Sequence, residues 1–320
     1  MKKILANDGI DNGGKTALET LGFEVITEKV AQDQLSNFIN DQKIEGLLVR
    51  SATTARKELI DACPNLKFIG RGGVGIDNID AEYARSKGIE VFNTPASSSQ
   101  AVAELVMSFV FAAARGVYDA GTNMPSNGAS EFESLKKKYA NGFELRGKTM
   151  GIVGFGRIGQ ALASYALGCG MNVIANDRPD APPKTITIDI AGQKINAQIP
   201  LVTFDELLAK SDFISLHVPK QPNGNAVIGK EELAKVKKNV VLINTARGGV
   251  IDETDLLDAL NNGLVRSACL DVFVGEPKPN AALLAHPLVL STPHIGASTS
   301  EAQERIGLEI AENVKRIYQL

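Results

Sequence analysis

The stretch Gly154-Phe155-Gly156-Arg157-Ile158-Gly159 decides the fold of this chain of 320 residues. It follows the apolar run 150–153, which is typical of a short buried strand. It leads into apolar residues at helical spacing, namely Ile158, Ala161, Leu162, Tyr165, Ala166 and Cys169. Glycines between a strand and a helix permit a tight turn and close approach to a pyrophosphate, which the helix N-terminus attracts. The pattern therefore predicts a dinucleotide-binding turn.

An acidic residue after the next strand indicates which dinucleotide binds. Asp177 follows the predicted strand 172–175 and lies 18 positions after Gly159. A carboxylate near this spacing bonds the adenosine ribose and repels a 2′-phosphate, so NAD is favoured over NADP. The neighbouring Arg178 leaves NADP open as the alternative.

Composition favours neither a nucleic-acid-binding protein nor a membrane protein. The net charge is −3 and the pI is about 5.8, so no basic surface for nucleic acid is expected. No secretory apolar core follows Lys2-Lys3, and the weakly polar stretch 101–114 is too short to span a bilayer. Three cysteines, far apart and odd in number, indicate reduced thiols in a cytoplasmic protein. No metal site is predicted.

Strands and helical segments alternate along the chain, which predicts an α/β protein with two parallel-sheet, Rossmann-like or flavodoxin-like domains. A dinucleotide turn in mid-chain leaves the first domain for the substrate, with an active-site cleft between the domains. We expect residues 1–98 with 293–320 to form the substrate-binding domain and 99–292 the NAD-binding Rossmann domain. The predicted strands lie at 4–5, 25–26, 47–49, 68–69, 91–92, 151–153, 172–175, 213–216, 240–244, 268–270 and 289–291.

Two connecting segments are less regular. A long helix from about 98 to 115 is expected to lead into a polar connection through Asn127-Gly128. Residues 184–202 alternate polar and apolar side chains around Ala191-Gly192, which predicts an inserted β-hairpin. We assign no chemistry to this hairpin.

Arg247, Glu276 and His294 each follow one of the later predicted strands. The carboxyl ends of parallel strands are where ligands bind in open α/β sheets. An arginine can hold a carboxylate, and a carboxylate bonded to a histidine favours the imidazolium, which suits an acid–base group. Taken singly, the three are as well explained by a surface ion pair, a loop acid and a structural histidine. Together, beside a dinucleotide turn, they predict a catalytic group.

These motifs resemble those of the NAD-dependent D-2-hydroxyacid dehydrogenases over nearly the whole chain. The resemblance is carried by GFGRIG (154–159), LHVP (216–219), NTARGG (244–249), LDVF (270–273), GEP (275–277) and TPHIGAST (292–299). It implies two Rossmann-like domains flanking a cleft. With the helix over 101–114, it also implies a homodimer formed through the cofactor domains.

The resemblance implies roles for individual residues. Arg247 holds the substrate carboxylate and C2 oxygen, and His294 takes the C2 hydroxyl proton as hydride leaves for NAD. Glu276 orients His294, and Asp271 bonds the nicotinamide amide. The expected cofactor-binding residues are Gly154, Gly156, Arg157, Ile158, Gly159, Asp177, His217, Val218, Pro219, Thr245, Ala246, Arg247, Asp271, His294 and Gly296.

Within this family, VRSAT (49–53), GRGGVGIDN (70–78) and GASTSEAQ (296–303) most resemble the phosphoglycerate dehydrogenase branch. That branch oxidises 3-phospho-D-glycerate in serine synthesis, so the partner expected is a small phosphorylated 2-hydroxy acid, and extra cations are expected with it. Which of Lys137 and Lys138 reaches the phosphate is left open. The expected substrate-binding residues are Arg50, Ser51, Arg71, Gly73, Val74, Lys137, Arg247 and His294.

Three alternatives remain from the sequence. A hydroxypyruvate or glyoxylate reductase, or a D-lactate type, keeps the fold and changes the substrate. An NAD-binding corepressor would keep the same residues without turnover. A formate dehydrogenase is disfavoured, because that branch carries glutamine where Glu276 stands. Since the chain ends at Leu320, serine feedback through an added regulatory domain is not expected.

Overall fold

The computed structural model describes residues 1–182, 184–221 and 223–320, which form two compact units. The first unit comprises Met1–Ala101 and Ala297–Leu320, and the second comprises Val102–Gly296. These divisions lie a few residues beyond the expected points at 98 and 292. The second division is later because Asp271 bonds the main-chain amides of Ile295 and Gly296.

The first unit is built on a parallel sheet with the strand order β2-β1-β3-β4-β5. Its apolar runs are buried on both faces, which is typical of parallel strands covered by helices. All five strands predicted here are confirmed. The elements are β1 (Lys2–Ala6), α1 (Asn12–Thr20), β2 (Phe23–Ile26), α2 (Leu35–Asp41), β3 (Ile44–Val49), α3 (Lys57–Ala62), β4 (Phe68–Arg71), α4 (Ala81–Ser86) and β5 (Glu90–Asn93).

The chain then enters the second unit through α5 (Ser99–Arg115), which spans the division. It continues with α6 (Val117–Lys138), a 3-10 turn (Tyr139–Asn141), β6 (Thr149–Val153), α7 (Arg157–Gly168), β7 (Asn172–Asn176), β8 (Thr185–Ile190), β9 (Gln193–Gln198), α8 (Phe204–Lys210), β10 (Phe213–Leu216), α9 (Lys230–Leu233), β11 (Val240–Asn244), α10 (Glu253–Asn261), β12 (Val265–Leu270), α11 (Ala281–Leu284) and β13 (Val289–Ser291).

The sheet of the second unit is parallel and has the strand order β13-β12-β11-β10-β6-β7. All six strands predicted for it are confirmed. The chain runs outward from β6 to β7 and then returns to the other side of β6 at β10. This reversal is the point at which open α/β sheets bind ligands, beyond the carboxyl ends of the strands.

The predicted hairpin over 184–202 is confirmed as the antiparallel pair β8–β9. Ile186 and Ile199 are buried in the core of the second unit, so the hairpin has one anchored face. The amide of Gly192 donates to the Asp189 carboxylate over 2.8 Å and closes the turn.

The expectation of a polar connection through Asn127-Gly128 is wrong, because α6 runs through this segment. Asp119 fastens the two ends of the helix, bonding Lys138 over 2.6 Å and the Tyr139 hydroxyl over 2.7 Å. The basic last turn, 136–138, complements the helix dipole. At Glu131, with φ −122° and ψ 22°, the helix is kinked, so α6 consists of two helical segments, and the second brings Lys138 and Tyr139 back to Asp119.

The last helix, α12 (Ser300–Tyr318), belongs to the first unit and packs against α1. The final segment therefore returns to the first unit. In the described part of the chain, no single helix has the length and apolar character needed to cross a membrane. One bent pair, Ser99–Arg115 with Val117–Asn141, meets that criterion only when both helices are counted together.

Candidate active site

The glycine turn joins β6 to α7 at a point where three main-chain segments crowd together. Gly154 has φ +90°, and a Cβ there would lie 2.5 Å from the carbonyl oxygen of His217. A Cβ at Gly159 would lie 2.6 Å from the carbonyl oxygen of Gly154. Any side chain at these two positions would force the strand and helix apart.

The same turn fits the pyrophosphate of NAD. A Cβ built on Gly156 would meet no atom within 4 Å among the described residues, so open space lies beside the main chain. Gly156 precedes the 12-residue helix α7 and provides no side-chain cap. The N–H groups of the first helical turn are therefore left for an anion.

Four of the residues expected to bind NAD, among them Asp177 for the adenosine ribose, line one cleft of about 540 Å³ in the second unit. Asp177 emerges at the end of β7 and is largely buried, with its side chain 17% exposed. The residues of the cleft that were expected to bind NAD are Gly154, Asp177, Val218 and Pro219. This volume suits a drug-sized ligand such as a nucleoside.

Three buried side-chain polar atoms in this unit have no hydrogen-bond partner among the residues that the structure describes, and one of them, the Ser267 hydroxyl, belongs to no expected site residue. The other two are the Thr245 hydroxyl and Nδ1 of His217, and both residues were expected at the cofactor site. The other ring nitrogen of His217 lies 2.9 Å from the Ser215 hydroxyl. Burial lowers the pKa of His217 to about 4, so the ring is neutral at pH 7. Unsatisfied buried polar atoms fit a site that is completed by a ligand.

Asp271 anchors the segment that carries His294, a role that sequence reasoning missed. Its carboxylate accepts the Thr292 hydroxyl over 2.6 Å and the amides of Ile295 and Gly296 over 2.7 and 2.9 Å. Burial raises the pKa of Asp271, and these hydrogen bonds act in the opposite direction. His294 itself has φ +56°, a left-handed conformation that a side chain rarely adopts. The three hydrogen bonds that Asp271 accepts hold this unfavourable backbone in place.

Glu276 links the segment after β12 to His294. One carboxylate oxygen lies 2.8 Å from Nδ1 of His294, and the other accepts the amide of Phe273 over 2.8 Å. Both side chains are about one-third exposed. The structure therefore brings the two residues predicted for acid–base chemistry into contact, with both side chains accessible to a ligand.

Arg247 lies in a turn organised by Asn244. The Asn244 side chain accepts the amide of Ala246 over 3.0 Å and donates to the carbonyl of Arg247 over 2.9 Å. A Cβ at Gly248 would lie 1.9 Å from the carbonyl oxygen of Phe273. The turn after β11 and the segment after β12 thus touch main chain to main chain, which only glycine permits.

In the first unit, the expected substrate residues Arg50, Ser51 and Arg71 lie at the ends of the neighbouring strands β3 and β4. Nη2 of Arg71 donates to the Ser51 hydroxyl over 3.4 Å. Gly73 and Val74 follow β4, and the amide of Gly73 donates to the Thr94 hydroxyl over 2.8 Å.

Asp8, which the sequence did not single out, holds the segment after β3. Its carboxylate accepts the amides of Arg50 and Thr53 over 2.7 and 3.0 Å, the Thr53 hydroxyl over 2.7 Å, and the Lys29 ammonium. Burial acts to raise the pKa of Asp8, but these bonds together lower it.

The lysines 136–138 end α6 on an exposed face. Lys138 is engaged by Asp119, whereas Lys137 is exposed on the same turn. Which of the two would reach a phosphate stays open.

Comparison with known protein families identifies the family to which this chain belongs. A sequence model described as the D-isomer specific 2-hydroxyacid dehydrogenase, NAD binding domain, matches residues 107–296. The chain belongs to the D-isomer-specific 2-hydroxyacid dehydrogenases, and NAD is its cofactor.

The relatives of this chain are named as different enzymes of the family. The chain is 40% identical over 317 residues to the D-3-phosphoglycerate dehydrogenase of Methanocaldococcus jannaschii, covering 99% of this chain and 57% of that protein. It is 40% identical over 316 residues to the hydroxypyruvate reductase of Thermotoga maritima, covering 98% and 97%. Among solved structures, a glyoxylate reductase from Paecilomyes thermophila superposes with a TM-score of 0.84 at 31% identity, covering 99% and 95%. The chain spans about half the length of the phosphoglycerate dehydrogenases it matches.

Proposed function

We propose that the protein oxidises 3-phospho-D-glycerate to 3-phosphohydroxypyruvate with NAD, the first step of serine biosynthesis. The observation that carries this proposal is the pair of arginines at neighbouring strand ends. Arg50 directly follows β3, and Arg71 ends β4 in register with Val49. Arginines bind phosphates in a bidentate manner, so this pair suits a substrate that carries a phosphate in addition to the carboxylate assigned to Arg247.

The chemistry rests on the contact between Glu276 and His294. Since Nδ1 of His294 is engaged by Glu276, Nε2 is the ring atom left to accept the C2 hydroxyl proton. The Glu276 carboxylate stabilises the imidazolium that results. Arg247 binds the substrate carboxylate and polarises the C2 oxygen. Bound NAD supplies the hydride acceptor.

A second candidate keeps the same residues and reverses the direction. It is the reduction of hydroxypyruvate or glyoxylate, and it is favoured by the Thermotoga maritima relative, which this chain matches over 97% of its length. A corepressor-type scaffold is the third candidate, and it predicts NAD binding without turnover.

The test is a substrate panel with NAD and NADP, in both directions. We expect turnover of 3-phosphoglycerate with NAD, and weaker turnover of D-glycerate, which lacks the phosphate. Strong activity on hydroxypyruvate or glyoxylate with an inert 3-phosphoglycerate would establish the second candidate. Binding of NADH without turnover of any acid would favour the scaffold.

Replacing Arg71 tests whether this residue binds the phosphate of the substrate. Arg71→Met should raise KM for 3-phosphoglycerate at least tenfold while changing KM for D-glycerate much less. Arg316→Met, on the exposed end of α12 in the same unit, is the control and should change neither. Equal effects of Arg71→Met on both substrates would contradict a phosphate role.

We also propose a homodimer formed through the second unit. Supporting it, α5 and α6 carry large apolar side chains that are exposed in the single chain, namely Phe111, Val117, Tyr118, Met124 and Phe132. Several large exposed apolar side chains on two consecutive helices support an interface there. Light scattering after size-exclusion chromatography tests it, and a monomer at micromolar concentration would contradict it.

A further inference from the structure

Lys184 stands at the base of the hairpin β8–β9, in a fixed position. It directly precedes β8, and its carbonyl accepts the amide of Ile199 over 3.4 Å. Ile186 and Ile199, on either side of this base, are 5% and 4% exposed. β8 also packs against α7, the helix that follows the glycine turn. The hairpin therefore presents Lys184 from an anchored backbone.

The ammonium of Lys184 contacts both parts of the expected dinucleotide site. It donates to the carbonyl oxygen of Phe155, inside the glycine turn, over 2.8 Å. It also lies 3.4 Å from Oδ2 of Asp177. The Lys184 side chain is 30% exposed, so this ion pair is partly shielded from water.

Both oxygens of Asp177 are consequently engaged on the protein side. Oδ1 accepts the amide of Arg178 over 2.9 Å, and Oδ2 faces Lys184. A carboxylate can accept about four hydrogen bonds, so each oxygen keeps capacity for a ribose hydroxyl. Lys184 thereby fixes the direction of a carboxylate that would otherwise rotate at the end of β7.

We propose that Lys184 is a positioning residue of the NAD site. It ties the glycine turn to Asp177, so that the main chain beside the pyrophosphate and the carboxylate beside the adenosine ribose keep their spacing. The hairpin, which had no assigned role, is the support that delivers this ammonium. The proposal concerns the cofactor site of the family and does not depend on which hydroxy acid is the substrate.

A different role for the same ammonium would be to bind the 2′-phosphate of NADP. The structure favours the positioning role, because Lys184 is already paired with Asp177. The negative charge of that carboxylate repels a 2′-phosphate. The two roles predict opposite changes in cofactor preference.

Calorimetric titration of the protein without substrate tests the proposal. For Lys184→Met we expect the Kd of NADH and of ADP-ribose to rise about tenfold, since bonds to charged groups are among the stronger ones. Binding of nicotinamide mononucleotide, which lacks the adenosine, should stay within about twofold. Lys184→Arg should restore most of the affinity for ADP-ribose, because a guanidinium can make both contacts.

Lys194→Met is the matched control, since Lys194 is an exposed lysine on the other strand of the same hairpin. It should leave every Kd unchanged. If Lys184→Met proves too unstable to titrate, Lys184→Gln compared with Lys184→Arg answers the same question.

Wild-type affinity of Lys184→Met for ADP-ribose would overturn the proposal. So would an equal loss for ADP-ribose and nicotinamide mononucleotide, which would indicate general disruption. A loss confined to NADPH would also overturn it and would assign Lys184 to the 2′-phosphate.

Discussion

Glu276 contacts His294 through one carboxylate oxygen and, through the other, a main-chain amide three residues before it in the chain. Oε2 lies 2.8 Å from Nδ1 of His294, while Oε1 accepts the amide of Phe273 over 2.8 Å. The carboxylate is thus fixed before any ligand binds, and it favours one orientation of the imidazole ring. An acid–base group that is oriented in this way needs little rearrangement at the moment of proton transfer.

Replacing Glu276 should lower turnover and spare NAD binding. Glu276→Gln keeps the shape and the hydrogen-bonding capacity of the side chain but removes the charge that stabilises the imidazolium formed when His294 takes a proton. We expect kcat to fall while the Kd of NADH stays close to that of the wild type, which steady-state kinetics and fluorescence titration measure. A wild-type kcat would argue against the Glu276–His294 pairing in catalysis.

Removing the imidazole should abolish proton transfer and spare NAD binding. His294→Asn is preferable to His294→Ala, because asparagine tolerates the left-handed backbone observed at this position. Both variants should lose about 10²–10⁴ in kcat. NADH titration by fluorescence should give a Kd close to that of the wild type. Near-normal turnover of either variant would remove His294 from the mechanism.

Gly248 tests whether main-chain contact between two segments organises the site. In Gly248→Ala, the new Cβ would lie 1.9 Å from the carbonyl of Phe273, so the segments that carry Arg247 and Glu276 must separate. We expect a loss of about 1–3 kcal/mol in the free energy of unfolding and a clear fall in kcat.

Gly168→Ala is the control for this change. Gly168 is exposed at the end of α7, and a Cβ added there would meet no described atom within 4 Å. Alanine is the better helix former, so this variant should keep the stability of the wild type or gain up to about 1 kcal/mol. Equal melting temperatures and rates for Gly248→Ala and the wild type would contradict the close contact.

The sheets and the strand-end positions of Arg247, Glu276 and His294 could be predicted from the sequence, because buried parallel strands leave continuous apolar runs. The anchoring roles of Asp8 and Asp271 could not. Their partners lie more than 20 positions away along the chain, and no local pattern marks such contacts.

In helix α6 a local pattern was present but led to the wrong prediction of a polar connection through Asn127-Gly128. Its glycines, asparagines and Pro125 are typical of a connection. The segment is instead helical through Asn127-Gly128 and kinks at Glu131, where the chain turns back and Asp119 contacts Lys138 and Tyr139. Local propensity is a weak guide wherever such tertiary or end-to-end contacts compete with it.

Asp8 should make the stability of the first unit depend on pH. Its pKa is lowered in the folded protein, because the bonds from Lys29, Arg50 and Thr53 outweigh the effect of burial. The ionised form is therefore favoured by folding. This contribution is fully present above the unfolded carboxyl pKa of about 3.9 and is lost as the pH falls through the lower folded value.

Asp8→Asn should accordingly lose about 1–3 kcal/mol in the free energy of unfolding at pH 7, because buried donors lose a charged acceptor. The difference from the wild type should shrink as the pH falls below the unfolded carboxyl pKa of about 3.9 toward the lower folded value, at which the folded wild-type carboxylate is also protonated. Urea unfolding at pH 7, 5, 4 and 3 measures this, with the exposed Asp33→Asn as the control that should change little. Because Asp8 also holds the amide of Arg50, KM for the acid substrate should rise in Asp8→Asn. A stability difference that stays constant from pH 7 to pH 3 would show that the Asp8 charge does not support the fold.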